Sequence, residues 1–213
     1  PHVSFVKRVL TQTFSYDWLG NTSFSDDDAH GFYDRSLGTI TNGPITGSNP
    51  KPYQLASADN TSLGPTRAGT VAAAYDAAGN LSTQRDAKQQ TTTYAYDALN
   101  RVTLITFQDQ STQTYTYDQG DVAIGHLSSI VEKDPSGQIT SQISYGYNAK
   151  GRVTSETRTL AGVQYVTTYS YDTFGRRDGM TYPSGRSLAY GFDALGRIAI
   201  ITSTKDGQTT IVV

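Results

Sequence analysis

The sequence predicts an all-β protein in which consecutive antiparallel β-hairpins form one long curved or spiralling sheet. The first reason is composition: the 213 residues include 15 tyrosines and 20 glycines but one methionine and one tryptophan. Tyrosine favours strands and glycine favours turns. The second reason is an aromatic motif that recurs along the chain, and the third is a turn motif that follows most of its copies.

The aromatic motif consists of an aromatic residue, a small residue, a second aromatic residue and an Asp or Asn. Its seven copies end at Asp17, Asp76, Asp97, Asp118, Asn148, Asp172 and Asp193, and in the copy that ends at Asp76 an Ala73 replaces the first aromatic residue. The second aromatic residues are Tyr16, Tyr75, Tyr96, Tyr117, Tyr147, Tyr171 and Phe192. From Tyr75 onward, these are spaced by 21, 21, 30, 24 and 21 residues. Because alternate residues of a strand share a face, the paired aromatic residues are predicted to line one face of the sheet.

A tight turn is predicted after each aromatic strand. The Asp or Asn is followed by two variable residues, then by a Gly or Asn, and often by an Arg. The motif places Gly20, Gly79, Asn100, Gly151, Gly175 and Gly196 at the fourth turn position, and Arg101, Arg152, Arg176 and Arg197 after it. An Asp at the start of a type I turn accepts backbone N–H groups of its own turn, and Gly adopts positive φ cheaply. The arginines are expected to form ion pairs or carbonyl contacts between repeats.

The regularity of the motif divides the chain into three regions. Residues 71–213 are predicted to be a regular repeat array, and residues 1–40 to hold degenerate or variant units, one of them near residues 32–38. Residues 41–70 are rich in Pro and Gly and are predicted to be an irregular insertion. The last residues, 211–213, fall where an aromatic strand is due, so we expect an edge strand there that is open to pairing with more protein.

With Tyr-Asp-x-x-Gly-Arg repeated about every 21 residues, the sequence resembles the YD-repeat or Rhs-repeat family. The resemblance implies a long β-sheet that spirals into a hollow shell. Such shells enclose a toxic C-terminal domain in Tc toxins and bacterial Rhs effectors, and teneurins use one in cell adhesion. It further implies a secreted or cell-surface bacterial protein, whose partners are further YD-repeat units or an enclosed C-terminal toxin domain.

Composition excludes several other classes of partner. The net charge of −2 gives no basic field to attract nucleic acid. No apolar run approaches the roughly 20 residues of a membrane-spanning helix. The chain has no cysteine, which excludes disulfides, thiolate catalysis and sulfur-ligated metals.

No catalytic, cofactor-binding or metal-binding residues are predicted. The histidines are scattered along the chain, and no serine lies in a nucleophile-elbow motif. The densest acidic cluster comprises Asp26, Asp27, Asp28, His30 and Asp34. Because it lacks EF-hand spacing, a solvated loop is favoured over a calcium site.

Three hypotheses for function follow. The leading one is a non-enzymatic structural segment of an Rhs/YD-repeat shell that encapsulates or presents a toxin or effector, with self-association through its edge strands. The alternative is a cell-surface adhesion module that binds carbohydrate through exposed tyrosines, which would be Tyr94, Tyr96, Tyr115, Tyr117, Tyr169 and Tyr171. The third, an enzyme, has only the acidic cluster in its favour.

Overall fold

A computed structural model describes residues 10–27, 36–43, 51–60 and 69–212. These residues form 17 β-strands, and no part of the described chain is helical. Within the described residues there is accordingly no helix of the length and hydropathy needed to cross a membrane. The chain divides into two compact units, residues 1–110 and residues 111–213.

The first unit is an antiparallel meander in which each strand pairs with the next one along the chain. Its strands are β1 (Gln12–Tyr16), β2 (Thr22–Asp27), β3 (Gly38–Asn42), β4 (Leu55–Asn60), β5 (Gly69–Tyr75), β6 (Leu81–Arg85), β7 (Thr91–Tyr96) and β8 (Val102–Thr106).

The second unit continues in the same way, and all its pairings are antiparallel and consecutive. Its strands are β9 (Thr112–Tyr117), β10 (Leu127–Lys133), β11 (Ile139–Tyr147), β12 (Val153–Leu160), β13 (Val163–Tyr171), β14 (Arg177–Thr181), β15 (Ser187–Phe192), β16 (Ile198–Lys205) and β17 (Gln208–Ile211). The predicted all-β fold of consecutive hairpins is therefore confirmed.

A register shift lies immediately before the second aromatic residue of six motif copies. The shifted residues are Tyr16, Tyr75, Tyr96, Tyr147, Tyr171 and Phe192. Each shift is part of the following turn: Asn100, for example, has φ of 60° and donates its N–H to the carbonyl of Asp97. A type I turn closed by a residue at positive φ produces such a bulge. The aromatic residue and the turn motif therefore form one structural unit.

The described residues bury little apolar surface. Ala58 and Ala123 are the buried hydrophobic residues, and neither has a large side chain. Several tyrosines of the aromatic motif are half-buried on one face, as in β13, where Tyr169 and Tyr171 are partly covered and Ser170 between them is exposed. Cross-strand pairs therefore replace a central core, each contributing about 0.2–1 kcal/mol relative to an alanine pair.

The region predicted to be an irregular insertion, residues 41–70, contains a regular strand. Residues Leu55–Asn60 form β4, which pairs with β3 on one side and with β5 on the other. The prediction was therefore wrong for these residues, because it weighed the flanking Pro and Gly residues and overlooked a short run without either. Residues 44–50 and 61–68 lie outside the described residues, as do residues 32–35 of the variant unit predicted near residues 32–38.

Candidate functional site

The turns that follow the aromatic strands are capped by their own first residue. In the turn after β7, Asp97 Oδ1 accepts the backbone N–H groups of Leu99 and Arg101, both at 2.9 Å. Asp97 Oδ2 accepts the Arg101 Nε at 2.7 Å. These bonds, the backbone one from Arg101 first, hold the pKa of Asp97 below its ordinary value. The carboxylate thus fixes both the turn and the arginine that follows it.

The same arrangement recurs in the second unit. Arg176 Nε lies 2.7 Å from Asp172 Oδ2, and Arg197 Nε lies 2.8 Å from Asp193 Oδ2. The expectation was of ion pairs or carbonyl contacts between repeats; for Arg101, Arg176 and Arg197 the ion pair is instead with the Asp of their own turn. The reason is the spacing of four residues, which brings the arginine back beside the capping carboxylate. The turn of Arg152 begins with Asn148 and offers no carboxylate.

Beyond its own turn, the arginine lies over the aromatic ring of the following repeat. The Arg152 guanidinium carbon is 5.3 Å from the centroid of Tyr171, and that of Arg176 is 4.1 Å from the centroid of Phe192. The glycine of the following turn leaves room for it. A Cβ on Gly175 would lie 2.5 Å from the Arg152 guanidinium, and a Cβ on Gly196 would lie 3.1 Å from Arg176 Nη1. The glycine of the motif is therefore needed for two reasons: it adopts a positive φ, and it leaves space for the arginine of the preceding turn.

His126 takes the place of the arginine in the longest repeat. Its ring stacks on Tyr147 with centroids 4.7 Å apart and an angle of 22° between the planes. A Cβ on Gly151 would lie 2.6 Å from His126 Nε2, just as Gly175 is approached by Arg152. Sequence reasoning missed His126, although one signal was present: it directly precedes Leu127, the first residue of β10, as Arg152 precedes Val153 of β12.

The tyrosine hydroxyl adds a further bond between repeats. Tyr96 Oη donates to the Leu81 carbonyl at 2.8 Å, Tyr147 Oη to the Leu127 carbonyl at 2.6 Å, and Tyr171 Oη to the Val153 carbonyl at 2.7 Å. Each acceptor is the first residue of the strand after the preceding turn. Burial raises the pKa of Tyr96 and of Tyr147 above the ordinary tyrosine value.

In the first unit, amide side chains link successive turns. Asn80 Nδ2 donates to Asn100 Oδ1 at 2.8 Å. Gln54 Nε2 donates to the Gly79 carbonyl at 3.1 Å, and Asn21 Nδ2 donates to the Pro52 carbonyl at 3.1 Å. In each of these contacts, the residue that ends one turn reaches the next turn. We call this series of contacts the turn ladder. Its residues are Asn21, Gln54, Asn80, His126, Arg152 and Arg176.

The remaining motif residues behave as follows. Asp17 and Asp76 cap their turns, with Oδ1 accepting the backbone N–H of Asn21 at 2.9 Å and of Asn80 at 2.8 Å. Asp118 does not begin a regular turn: it has φ of 62°, and its Oδ1 accepts the N–H of Gly125 at 2.6 Å across a longer loop.

The carbohydrate hypothesis required exposed tyrosines, and the six it named are half-buried. Tyr94, Tyr115 and others also direct their hydroxyls at protein acceptors, such as Gln84 Oε1 at 3.5 Å and Gln113 Oε1 at 3.0 Å. The tyrosines are therefore engaged in holding the sheet together.

The described part of the chain contains no group of three or more His, Cys, Asp or Glu side chains placed to hold a metal ion. Of the acidic cluster, Asp26 and Asp27 lie in β2. Asp28, His30 and Asp34 lie outside the described residues.

Comparison with known proteins matches residues 75–112 to the RHS Repeat family model. The predicted resemblance to this family is confirmed there, in the segment that holds the turns of Asp76 and Asp97. No curated protein matches the chain.

Comparison with solved structures also finds several matches. One is the Photorhabdus luminescens Tc holotoxin pore, with 15% sequence identity, a TM-score of 0.47 and coverage of 94% of this chain. Another is a complex described as TcdB2-TccC3-Cdc42, with 16% identity and a TM-score of 0.47. A porin-like protein from Bacteroides uniformis has 12% identity and a TM-score of 0.41, with 94% of this chain and 86% of that chain covered. The chain spans 14% of the length of the matched chain in each of the first two structures.

Proposed function

We propose that the chain is a structural wall segment of a YD-repeat shell, in which successive hairpins extend one curved sheet around an enclosed or presented toxin or effector. The observation that carries this proposal is the turn ladder. Because Arg152 and Arg176 each contact the following turn, a hairpin is held to its neighbour by side chains as well as by backbone pairing. The RHS repeat at residues 75–112 supports the same role. A wall segment needs no catalytic residue. Its partners are further repeat units and the enclosed cargo, and the protein that contains it is a secreted bacterial protein.

The exposed apolar side chains fit a segment that gains contacts in a larger assembly. Phe174 is 83% exposed, Leu195 77% and Ile211 71%. An exposed apolar side chain is stabilised when another protein surface covers it. In the proposed wall, neighbouring repeats and the cargo cover these residues.

The native mass of the chain tests the proposal. Size-exclusion chromatography with light scattering, over a range of concentrations, is expected to show association through open strand edges. The variant Ile211→Pro is expected to reduce it. Val212 donates its N–H to the Ile201 carbonyl of β16 at 2.8 Å, so the N–H of Ile211 points to the other side of β17. Proline there removes an outward donor and leaves the pairing with β16 in place.

The control is Ile211→Thr, which removes apolar surface but keeps the outward N–H. It is expected to associate like the unmodified chain if backbone pairing drives assembly. A monomer at every concentration, or equal loss of association in both variants, contradicts the proposed building block.

A further inference from the structure

A groove on the aromatic face of the second unit is separate from the turn ladder. It has a volume of about 660 Å³ and is lined by Tyr165, Tyr182, Pro183, Ser184, Arg186 and Leu188. Register places its walls on one face, because Tyr169 lies opposite Met180 and Met180 lies opposite Leu188. The pairing of β13 with β14 ends at Thr168, and β13 continues from there alongside the turn at residues 182–186.

Arg186 is the single charged side chain that lines the groove. Its Nη1 donates to Ser203 Oγ at 3.2 Å, and Ser203 is 4% exposed. The guanidinium is therefore positioned by a buried hydroxyl and has no carboxylate partner among the ion pairs of the described residues. Of the other arginines that follow a turn, Arg101, Arg176 and Arg197 each pair with an Asp, whereas Arg152 follows a turn that begins with Asn148 and lies over the Tyr171 ring.

The turn at residues 182–186 lacks a side-chain cap that a similar turn of the same chain has. Residues 134–138 read Asp-Pro-Ser-Gly-Gln and residues 182–186 read Tyr-Pro-Ser-Gly-Arg, and both close with the same two backbone bonds. In the first turn, Asp134 Oδ1 accepts the N–H groups of Ser136 and Gln138 at 2.9 and 3.0 Å. Tyrosine has no such acceptor, so the turn at 182–186 lacks that cap and gains a ring and a cation instead. A residue that makes its own turn less stable is expected where that residue has a function.

We propose that this groove binds a polypeptide segment of a partner that carries a carboxylate beside an apolar side chain. Arg186 supplies the donor that a carboxylate matches, through two parallel N–H groups. Tyr165, Tyr182 and Leu188 supply the apolar walls for the neighbouring side chain. The proposal stands on the groove alone and does not depend on the shell.

The test is NMR titration of the ¹⁵N-labelled chain with the blocked peptide acetyl-Gly-Phe-Glu-Phe-Gly-amide. The expected result is shifts confined to amides of residues 163–168 and 182–188. The same peptide with Gln in place of Glu is expected to bind about tenfold or more weakly, as for the loss of a charged hydrogen-bond partner. Maltotriose is the third probe and is expected to cause no shifts.

The decisive variant combines Tyr182→Asp with Arg186→Gln. These two substitutions give residues 182–186 the same sequence as the turn at residues 134–138. Because it restores a cap, it is expected to unfold at the same or a higher temperature than the unmodified chain while losing peptide binding. The proposal is overturned if the variant binds equally well, if the Glu and Gln peptides bind alike, or if neither peptide shifts the groove amides. It is also overturned if maltotriose binds instead, which indicates a sugar site, or if the variant is markedly destabilised, which makes Tyr182 and Arg186 packing residues.

Discussion

The Arg176 guanidinium carbon lies 4.1 Å from the ring centroid of Phe192, while Arg176 Nε donates to Asp172 Oδ2 at 2.7 Å. One side chain thus joins the carboxylate of its own turn to the aromatic residue of the next repeat. Such a cation over an aromatic ring contributes about 0.5–1 kcal/mol at an exposed site. The buried hydrophobic residues of the described chain are two alanines, so such contacts add to the backbone pairing that joins the hairpins.

Phe192 is the one second aromatic residue without a hydroxyl, and adding one is expected to stabilise the second unit. Tyr147 and Tyr171 donate to the first residue of the strand after the preceding turn, and Arg177 holds that position for residue 192. Phe192→Tyr is expected to raise the free energy of unfolding by about 0.5–1.5 kcal/mol, measured in urea. The matched control, Tyr171→Phe, is expected to lower it by a similar amount. No change in either variant contradicts a bond between repeats.

Gly175→Ala is expected to destabilise the chain more than Gly185→Ala. Both glycines have positive φ, 88° and 78°, so both pay about 1–2 kcal/mol for a left-handed alanine. A Cβ on Gly185 meets no atom within 4 Å, whereas on Gly175 it lies 2.5 Å from the Arg152 guanidinium. Arg152 must then move off Tyr171, at an additional cost of about 0.5–1 kcal/mol.

Thermal or urea unfolding of the two variants, repeated in an Arg152→Ala background, measures that additional cost. The difference between Gly175→Ala and Gly185→Ala should shrink once Arg152 is removed, since the displaced contact no longer exists. An unchanged difference would show that the ladder contact at Gly175 is not the cause.

The sequence predicted the parts of this structure that depend on local chemistry. Asp97 and Gly175 have backbone roles that their own turns determine, so the turns and strands were predictable from motif spacing. The turn ladder was not, because it depends on how a side chain from one hairpin meets the next. His126 shows this best: it replaces an arginine in function without resembling one in sequence. β4 was missed because its strand signal is brief and lies between unusually Pro- and Gly-rich segments.

His126→Arg is expected to preserve the ladder and His126→Ala to break it. The imidazole ring stacks on Tyr147, and arginine fills the same position over Tyr171. We expect the alanine variant to lose about 0.5–1.5 kcal/mol of unfolding free energy, as for other aromatic pairs, and the arginine variant to stay near the original value. Urea unfolding checks both. Equal losses in the two variants would mean that the site needs a flat imidazole ring and that His126 does not stand in for an arginine.

Stability is expected to fall in acid because the turn carboxylates are held in their charged form. The backbone N–H of Arg197, then its side chain, lowers the pKa of Asp193 below the ordinary value of about 4. A carboxyl group with a lower pKa in the folded state stabilises folding above its unfolded pKa. That contribution is lost as the pH falls through the folded pKa. Unfolding free energy measured between about pH 6 and about pH 3 should therefore decrease.

The variant Asp193→Asn assigns part of this decrease to one turn. Asn148 already caps a turn in this chain, its Oδ1 accepting the N–H groups of Lys150 at 2.9 Å and Arg152 at 3.1 Å. Asparagine at 193 should therefore keep the turn and remove its titration, so the variant is less stable at neutral pH but loses less in acid. An acid loss equal to that of the unmodified chain would place the pH dependence in other carboxylates and outside the turn of Asp193.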